Sequence, residues 1–139
     1  MTAQEIKLIK NSWSLFRHVK PEIVADTFYS RLFFAHPELR PLFPKDMTQQ
    51  YEKLIVTLTT VVARLERLHE LTEDIAAMAS RHSGYGVQAS HYAHVGEALL
   101  WTLERGLGND WDDKTAAAWT KCYNILADTM IGATVETPQ

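Results

Sequence analysis

Apolar residues recur along almost the whole chain at spacings of three and four, which is the period of an amphipathic α-helix. The first such stripe consists of Ile6, Ile9, Trp13 and Phe16. Thr2, with Glu5 three residues later, is typical of a helix start. Pro21 can open a second helix, because the first turn does not need its N–H. This second helix carries Ile23, Val24, Thr27, Phe28, Arg31 and Leu32.

A proline-rich stretch interrupts this pattern after residue 35. His36 precedes Pro37, and a residue before proline avoids the helical region, so the second helix should end here. The prolines at 37, 41 and 44 leave room only for one helical turn and a loop. We therefore predict a short Pro-rich turn between the second and third helices.

Four further helices are predicted after this turn, over about 48–69, 72–82, 90–107 and 112–134. A glycine-containing stretch at 106–109 separates the last two, and Asp112 or Asp110 can cap the final one. The tail 135–139 is expected to fray. Because strand signals are almost absent, the pattern predicts an all-α fold of about six main helices in one domain, 1–139.

Charge and composition exclude several functional classes. With 17 acidic and 14 basic residues, the net charge of −3 leaves no basic excess to neutralise nucleic-acid phosphates. No apolar run approaches the roughly 18 to 20 residues that span a bilayer, and the N-terminus lacks a signal peptide's apolar core. The single cysteine, Cys122, excludes an internal disulfide and lies in an apolar stripe, as a core residue would. We expect a cytoplasmic protein without nucleic-acid or membrane partners.

His82 is the histidine whose position best suits a buried role. It is the last residue before a break at 83–86, and it shares a helical face with Ile75, Met78 and Ala79. An imidazole there can be a core side chain bonded to a carbonyl, or a metal ligand that points into a cavity. Periodicity alone leaves both interpretations open. The histidines at or near helix ends, which we expect on the surface, are His18, His36 and His69.

Other motif-like strings carry weaker signals. Glu66 and His69 have the spacing of a carboxylate-bridged di-iron site, but the chain contains no second such pair. A helix-face group that could bind an adventitious divalent ion, although simple exposure explains it equally well, consists of His91, His94 and Glu97. The string at 84–89 matches a dinucleotide-binding turn in letters only, because no strand precedes it.

Several stretches resemble the sequences of bacterial globins. They are TFYSRLF at 27–33, HPELRPLF at 36–43, Arg81–His82 with Gly86–Val87, HYAHVG at 91–96, and the last-helix stretch 118–128. The resemblance covers nearly the whole chain and is strongest to the single-domain globins related to the haem domain of flavohaemoglobins. It implies a globin fold around a b-type haem.

On the distal side of the haem, the resemblance assigns a role to each of four residues. Tyr29 matches the distal tyrosine, and Leu54 matches the apolar residue over the iron. Gln50 matches the distal glutamine and keeps a four-residue spacing to Leu54, with Gln49 as a possible substitute. Phe43 matches the aromatic residue that wedges against the haem face.

On the proximal side, the resemblance makes His82 the metal ligand of the haem iron. The other residues expected on this side are Val87, Tyr92 and Val95. Tyr92 matches a tyrosine that bonds the proximal histidine into a network with a glutamate of the last helix. That glutamate position falls on Thr134, and Glu136 lies two residues away, about 200° around the helix. We therefore expect a weakened network and a weaker push from the imidazole.

The function that the resemblance implies is reversible, tight O2 binding, for storage, delivery or scavenging. A phenol can donate a hydrogen bond to the ligand without being ionised, and a glutamine amide can donate or orient the phenol. The alternative is a nitric oxide dioxygenase that converts NO and O2 to nitrate. These residues include no flavin or nicotinamide domain, so that enzyme would need a separate reductase. CO is a further candidate ligand, and a haem-free helical protein is the remaining hypothesis.

Overall fold

Five α-helices dominate the computed structural model, which describes residues 1–71, 73, 75, 77 and 89–136, without the side chains of 17, 69–71, 89 and 132–136. They are α1 (Ala3–Ser14), α2 (Pro21–Ala35), α3 (Thr48–Ala63), α4 (Ala89–Leu107) and α5 (Asp113–Glu136). Short 3₁₀ segments cover Leu15–His18, Pro37–Leu42, Leu65–Leu71 and Gly108–Asp110. Glu73, Ile75 and Ala77 are also helical, within the helix predicted at 72–82. No described residue lies in a strand, which confirms the all-α class.

The predicted starts of α1, α2 and α5 are confirmed. Thr2 and Glu5 form a reciprocal capping box, in which the Glu5 N–H donates to Thr2 Oγ1 at 3.1 Å and the Thr2 N–H donates to Glu5 Oε1 at 2.7 Å. Helix α2 begins at Pro21. Asp112 Oδ1 accepts the Thr115 N–H at 2.7 Å at the start of α5. None of the described helices is long and apolar enough to cross a membrane.

Helix α3 is shorter than predicted. It ends at Ala63 rather than near residue 69, and a 3₁₀ segment follows over Leu65–Leu71. The last turn of α3 is rich in β-branched side chains, which lose rotamer freedom in a helix. The Arg64 N–H is shared between the carbonyls of Thr60 and Val61, both at 3.2 Å, so the chain tightens there.

Helix α5 is longer than predicted, because it extends to Glu136, two residues beyond the predicted end at 134. Ile23, which the sequence places on α2, is 55% exposed. The buried side of that helix is centred on Phe28 and Leu32, which turns Ile23 toward solvent.

The core positions α2 at the centre of the described structure. Helix α2 packs against α3 and α4, α1 packs against α5, and α4 packs against α5. Cys122 is 2% exposed, as expected of a core residue, and burial raises the pKa of its thiol to about 11. Buried polar groups are paired: Trp119 Nε1 donates to Ser12 Oγ at 2.8 Å. Helix α2, which packs against both α3 and α4, carries Tyr29.

Candidate functional site

Aromatic rings enclose Tyr29, whose side chain is only 4% exposed. Phe28 and Phe43 meet it edge-on, with ring centroids 4.8 and 5.6 Å away. Phe33 and Tyr51 stack against it at 5.9 and 5.6 Å. Three of the four enclosing rings come from α2 and α3, and the fourth, Phe43, comes from the loop after the Pro-rich turn. The packing of α2 on α3 therefore creates the enclosure.

The hydroxyl of Tyr29 has a single recorded partner among the described residues, the side chain of Gln50. Gln50 Nε2 donates to Tyr29 Oη at 3.1 Å, whereas Gln49 is exposed. Burial raises the pKa of Tyr29 to about 12, so the phenol keeps its proton at neutral pH. Because Gln50 donates to the phenol oxygen, the hydroxyl hydrogen of Tyr29 remains available to donate to a ligand.

Arg40 holds the loop that carries Phe43. Its Nη1 donates to the carbonyls of Phe43 and Pro44 at 3.2 and 3.0 Å, and its Nη2 donates to the Lys45 carbonyl at 3.2 Å. Its guanidinium also lies 5.4 Å above the ring of Phe33. The sequence interpretation missed this residue. An arginine inside a proline-rich turn, where carbonyls lack helical partners, is the signal that could have found it.

Tyr51 is a second residue whose role the sequence did not reveal. Its ring is almost parallel to that of Tyr29, at an interplanar angle of 9°, while its hydroxyl donates to Asp26 Oδ1 at 2.9 Å. Leu54 follows one turn after Gln50 and is half-buried against the main core. Tyr51 thus stacks on the Tyr29 ring, while its own hydroxyl bonds Asp26 and leaves the Tyr29 hydroxyl to Gln50.

On the side expected to be proximal, α4 and α5 meet around Tyr92 and Tyr123. Tyr123 Oη donates to the backbone carbonyl of Tyr92 at 2.6 Å. Burial raises the pKa of both phenols. Val95 is half-buried against the main core, and Tyr92 packs on a smaller cluster built around Ile75 and Met130. His82 and Val87 lie outside the described residues, as do the side chains at 134 and 136.

Comparison with known proteins identifies the family. The globin family model matches residues 26–130. This chain belongs to the globin family. This globin is 32% identical, over 108 residues, to the flavohemoprotein of Rhizobium meliloti (strain 1021). The match covers 76% of the chain but only 27% of that relative's length.

Solved structures confirm the globin fold that the sequence resemblance implied. A bacterial globin from Campylobacter jejuni has a TM-score of 0.83 at 24% identity, over 97% of both chains. An engineered carbene transferase, derived from a proposed nitric oxide dioxygenase of Rhodothermus marinus, has a TM-score of 0.85 at 27% identity. That match covers 98% of this globin and 94% of the other chain.

The donor set around Tyr29 fits the haem that the globin family implies. The described wall is aromatic and apolar and offers one neutral phenol with one amide beside it. An apolar face with few polar groups suits a flat macrocycle, and hydrogen-bond donors on one side suit a ligand bound there. Ile75, seven residues before His82, is 6% exposed and faces the core, which fits the predicted inward face of that segment.

The remaining histidines differ from expectation in one respect. His18 is exposed as predicted, but His36 is half-buried, because its ring stacks on His94 at a centroid distance of 3.6 Å. Glu97 does not join His91 and His94, since its carboxylate pairs with Arg31 at 2.8 Å. The side chain of His69 lies outside the described residues. Glu66, which has the di-iron spacing to His69 in the sequence, pairs with Lys10 at 2.8 Å.

Proposed function

We propose that this globin binds O2 reversibly and tightly, with Tyr29 and Gln50 as its distal hydrogen-bonding pair. The observation that carries the proposal is the 3.1 Å bond from Gln50 to a phenol enclosed by aromatic rings. Haem b, held through His82, would supply an iron centre that takes diatomic ligands such as O2, NO and CO. The residues proposed to contact the haem are His82, Phe43, Leu54, Val87, Tyr92 and Val95.

The protein itself contributes a hydrogen-bond donor at a fixed position, the hydroxyl of Tyr29. Gln50 fixes the orientation of Tyr29 Oη, and Tyr29 then donates its hydroxyl proton toward the ligand. A hydrogen bond to a ligand with charged character contributes about 1.5–3 kcal/mol, which is roughly tenfold to a hundredfold in affinity. Arg40 fixes the Phe43 loop, and the Phe43 ring would contact the haem and exclude water from that side.

The test compares two neighbouring tyrosines in the haem-loaded protein. Tyr29→Phe should speed O2 dissociation, measured by stopped-flow, by about tenfold to a hundredfold, because the donor is lost. Tyr51→Phe is the matched control: its ring stacks on Tyr29, but its hydroxyl bonds Asp26, so the rate should stay within about threefold of the unsubstituted protein's. An unchanged rate in Tyr29→Phe would contradict the proposed distal role.

The assignment of His82 needs its own measurement. Haem binding by the apoprotein should produce a Soret band, and His82→Ala should change the ferrous–CO spectrum, because the axial imidazole is lost. An unchanged spectrum would refute His82 as the ligand.

We also propose that residues 1–139 act as one globin domain. A single core cluster joins side chains from α1 to α5. The expected cytoplasmic location stays a prediction.

Nitric oxide dioxygenation is the second candidate, supported by the likeness to the flavohemoprotein and to the proposed nitric oxide dioxygenase. The reaction combines NO, O2 and one electron to give nitrate. The electron would come from ferrous haem and be replaced by a reductase outside these 139 residues. Tyr29 and Gln50 would hold O2 in the same way in both functions.

Nitrate yield separates the two candidates. The O2-loaded protein is mixed with repeated additions of NO, with and without a flavin reductase and its nicotinamide. Many nitrates per protein with the reductase would establish a dioxygenase. A single nitrate per protein under both conditions would leave an O2 binder that scavenges NO once.

A further inference from the structure

Two histidines and a glutamate converge where the end of α2 meets α4. His36 is the C-cap residue of α2, Glu38 lies in the Pro-rich turn, and His94 lies in the second turn of α4. His36 Nδ1 is 3.3 Å from Glu38 Oε1, and the His36 and His94 rings are 3.6 Å apart at their centroids. His94 thus shares one surface site with His36 and Glu38, which lie 58 and 56 positions before it in the sequence.

This group has the composition and the spacing of a transition-metal site. Imidazole nitrogen and carboxylate oxygen are ligands that zinc and similar ions accept, at about 2.0–2.2 Å. Two ligands of such a tetrahedral centre lie about 3.3 Å apart, which is the His36–Glu38 distance. All three ligand atoms lie within 4.8 Å of one another, so no pair needs to shorten by more than about 1.5 Å, and the stacked imidazole rings must also turn so that the in-plane lone pairs of both face the ion. Imidazole χ2 torsions are broad enough to allow this rotation.

We propose that His36, Glu38 and His94 bind a divalent transition-metal ion such as Zn²⁺, separately from the haem. His36 and His94 are half-buried and held side by side where α2 meets α4, so the ion has to reorient two side chains that are already close together. Solvent completes the coordination, because Glu38 is exposed. The bound ion links the start of the Pro-rich turn to α4 and stabilises the folded globin.

The experiment is a calorimetric titration of ZnCl2 into the haem-loaded protein in a non-chelating buffer. We expect the unsubstituted protein to bind one ion per chain. Its affinity should be lost or weakened at least tenfold in His36→Ala, in His94→Ala and in Glu38→Gln. His18→Ala, an exposed histidine, and Glu97→Gln, a carboxylate on α4 that pairs with Arg31, are matched controls and should bind unchanged. Zn²⁺ should also raise the Tm, and a chelator should reverse the rise.

Two results would overturn the proposal. One is the absence of stoichiometric Zn²⁺ binding. The other is binding that survives in both histidine variants, which would place the ion elsewhere. Circular dichroism and the Soret band check the fold of each variant. Glu38→Gln alters an exposed side chain and keeps the test decisive if a histidine variant does not fold.

Discussion

Tyr29 and Tyr51 stack with their rings almost parallel, yet their hydroxyl groups have different partners. Tyr51 donates to Asp26 near the surface, whereas Tyr29 accepts from Gln50 inside the aromatic enclosure. The same division separates the two adjacent glutamines. Consecutive helical residues point about 100° apart, so Gln50 turns toward Tyr29 while Gln49 faces solvent. At this scale one residue step decides which amide can act in the site.

The glutamine pair provides an internally controlled stability test. Gln50→Ala should lower the free energy of unfolding by about 0.5–1.5 kcal/mol, because the phenol loses its recorded donor. Gln49→Ala carries the same change in helix propensity and should stay within about 0.5 kcal/mol of the original protein. Denaturant unfolding of both variants measures the difference. Equal midpoints would mean that the Gln50–Tyr29 bond contributes nothing to stability.

At the scale of elements, α4 and α5 pack tightly against each other at Gly96. A Cβ added there would lie 2.7 Å from Cε2 of Tyr123. The bond from Tyr123 Oη to the Tyr92 carbonyl and the burial of the ring keep Tyr123 from moving aside. The glycine therefore permits close packing of two helices, and the Tyr123–Tyr92 bond fixes their register.

Gly96→Ala should destabilise the protein despite the better helix propensity of alanine. Overpacking of this kind costs about 1–3 kcal/mol, while the gain in propensity is about 0.5–1 kcal/mol. In a Tyr123→Leu background the same substitution should cost nothing, because the clashing ring is gone. Thermal unfolding of the four proteins in this cycle gives the coupling. An identical cost in both backgrounds would rule out the contact with Tyr123 as the cause.

At the scale of the whole molecule, several ionisable groups are buried in their neutral forms. Burial raises the pKa of Cys122 to about 11 and that of Tyr29 to about 12, and it raises the pKa of Tyr123 as well. In the unfolded chain these groups lose their protons at lower pH. Stability is therefore complete below the unfolded pKa values and is lost as the pH rises toward the folded ones.

The loss of unfolding free energy at alkaline pH should occur in two pH windows, one for Tyr29 and one for Cys122. Between about pH 10 and pH 12, Tyr29→Phe should remove up to about 1.4 kcal/mol per pH unit from the slope of unfolding free energy against pH. Cys122→Ala should flatten the slope over a lower window, between about pH 9 and pH 11. Guanidinium unfolding at half-unit pH steps measures both. Slopes that match the original protein in both variants would show that neither group resists ionisation in the folded state.

The apolar periodicity and the capping residues predicted all five described α-helices and several of their ends. The capping box at Thr2 and Glu5, the start of α2 at Pro21 and its end before His36 all depend on local chemistry, which the sequence carries directly. The end of α3 at Ala63 was missed, because the hydrophobic stripe continues through Leu65 while the backbone tightens. For the site, family resemblance supplied Tyr29 and Gln50 as candidates.

Periodicity and capping residues predicted an all-helical protein, and the resemblance to bacterial globins supplied Tyr29 and two glutamines as candidates for the distal site, because caps, periodicity and motif letters are local properties. Tertiary structure decided which glutamine meets Tyr29, what Arg40 holds, and that His36 stacks on His94. Arg40 contacts carbonyls of its own loop, whereas the Gln50–Tyr29 and His36–His94 contacts join residues from different helices. Their distances depend on the crossing of α2 with α3 and α4, which side-chain packing sets and no local pattern encodes.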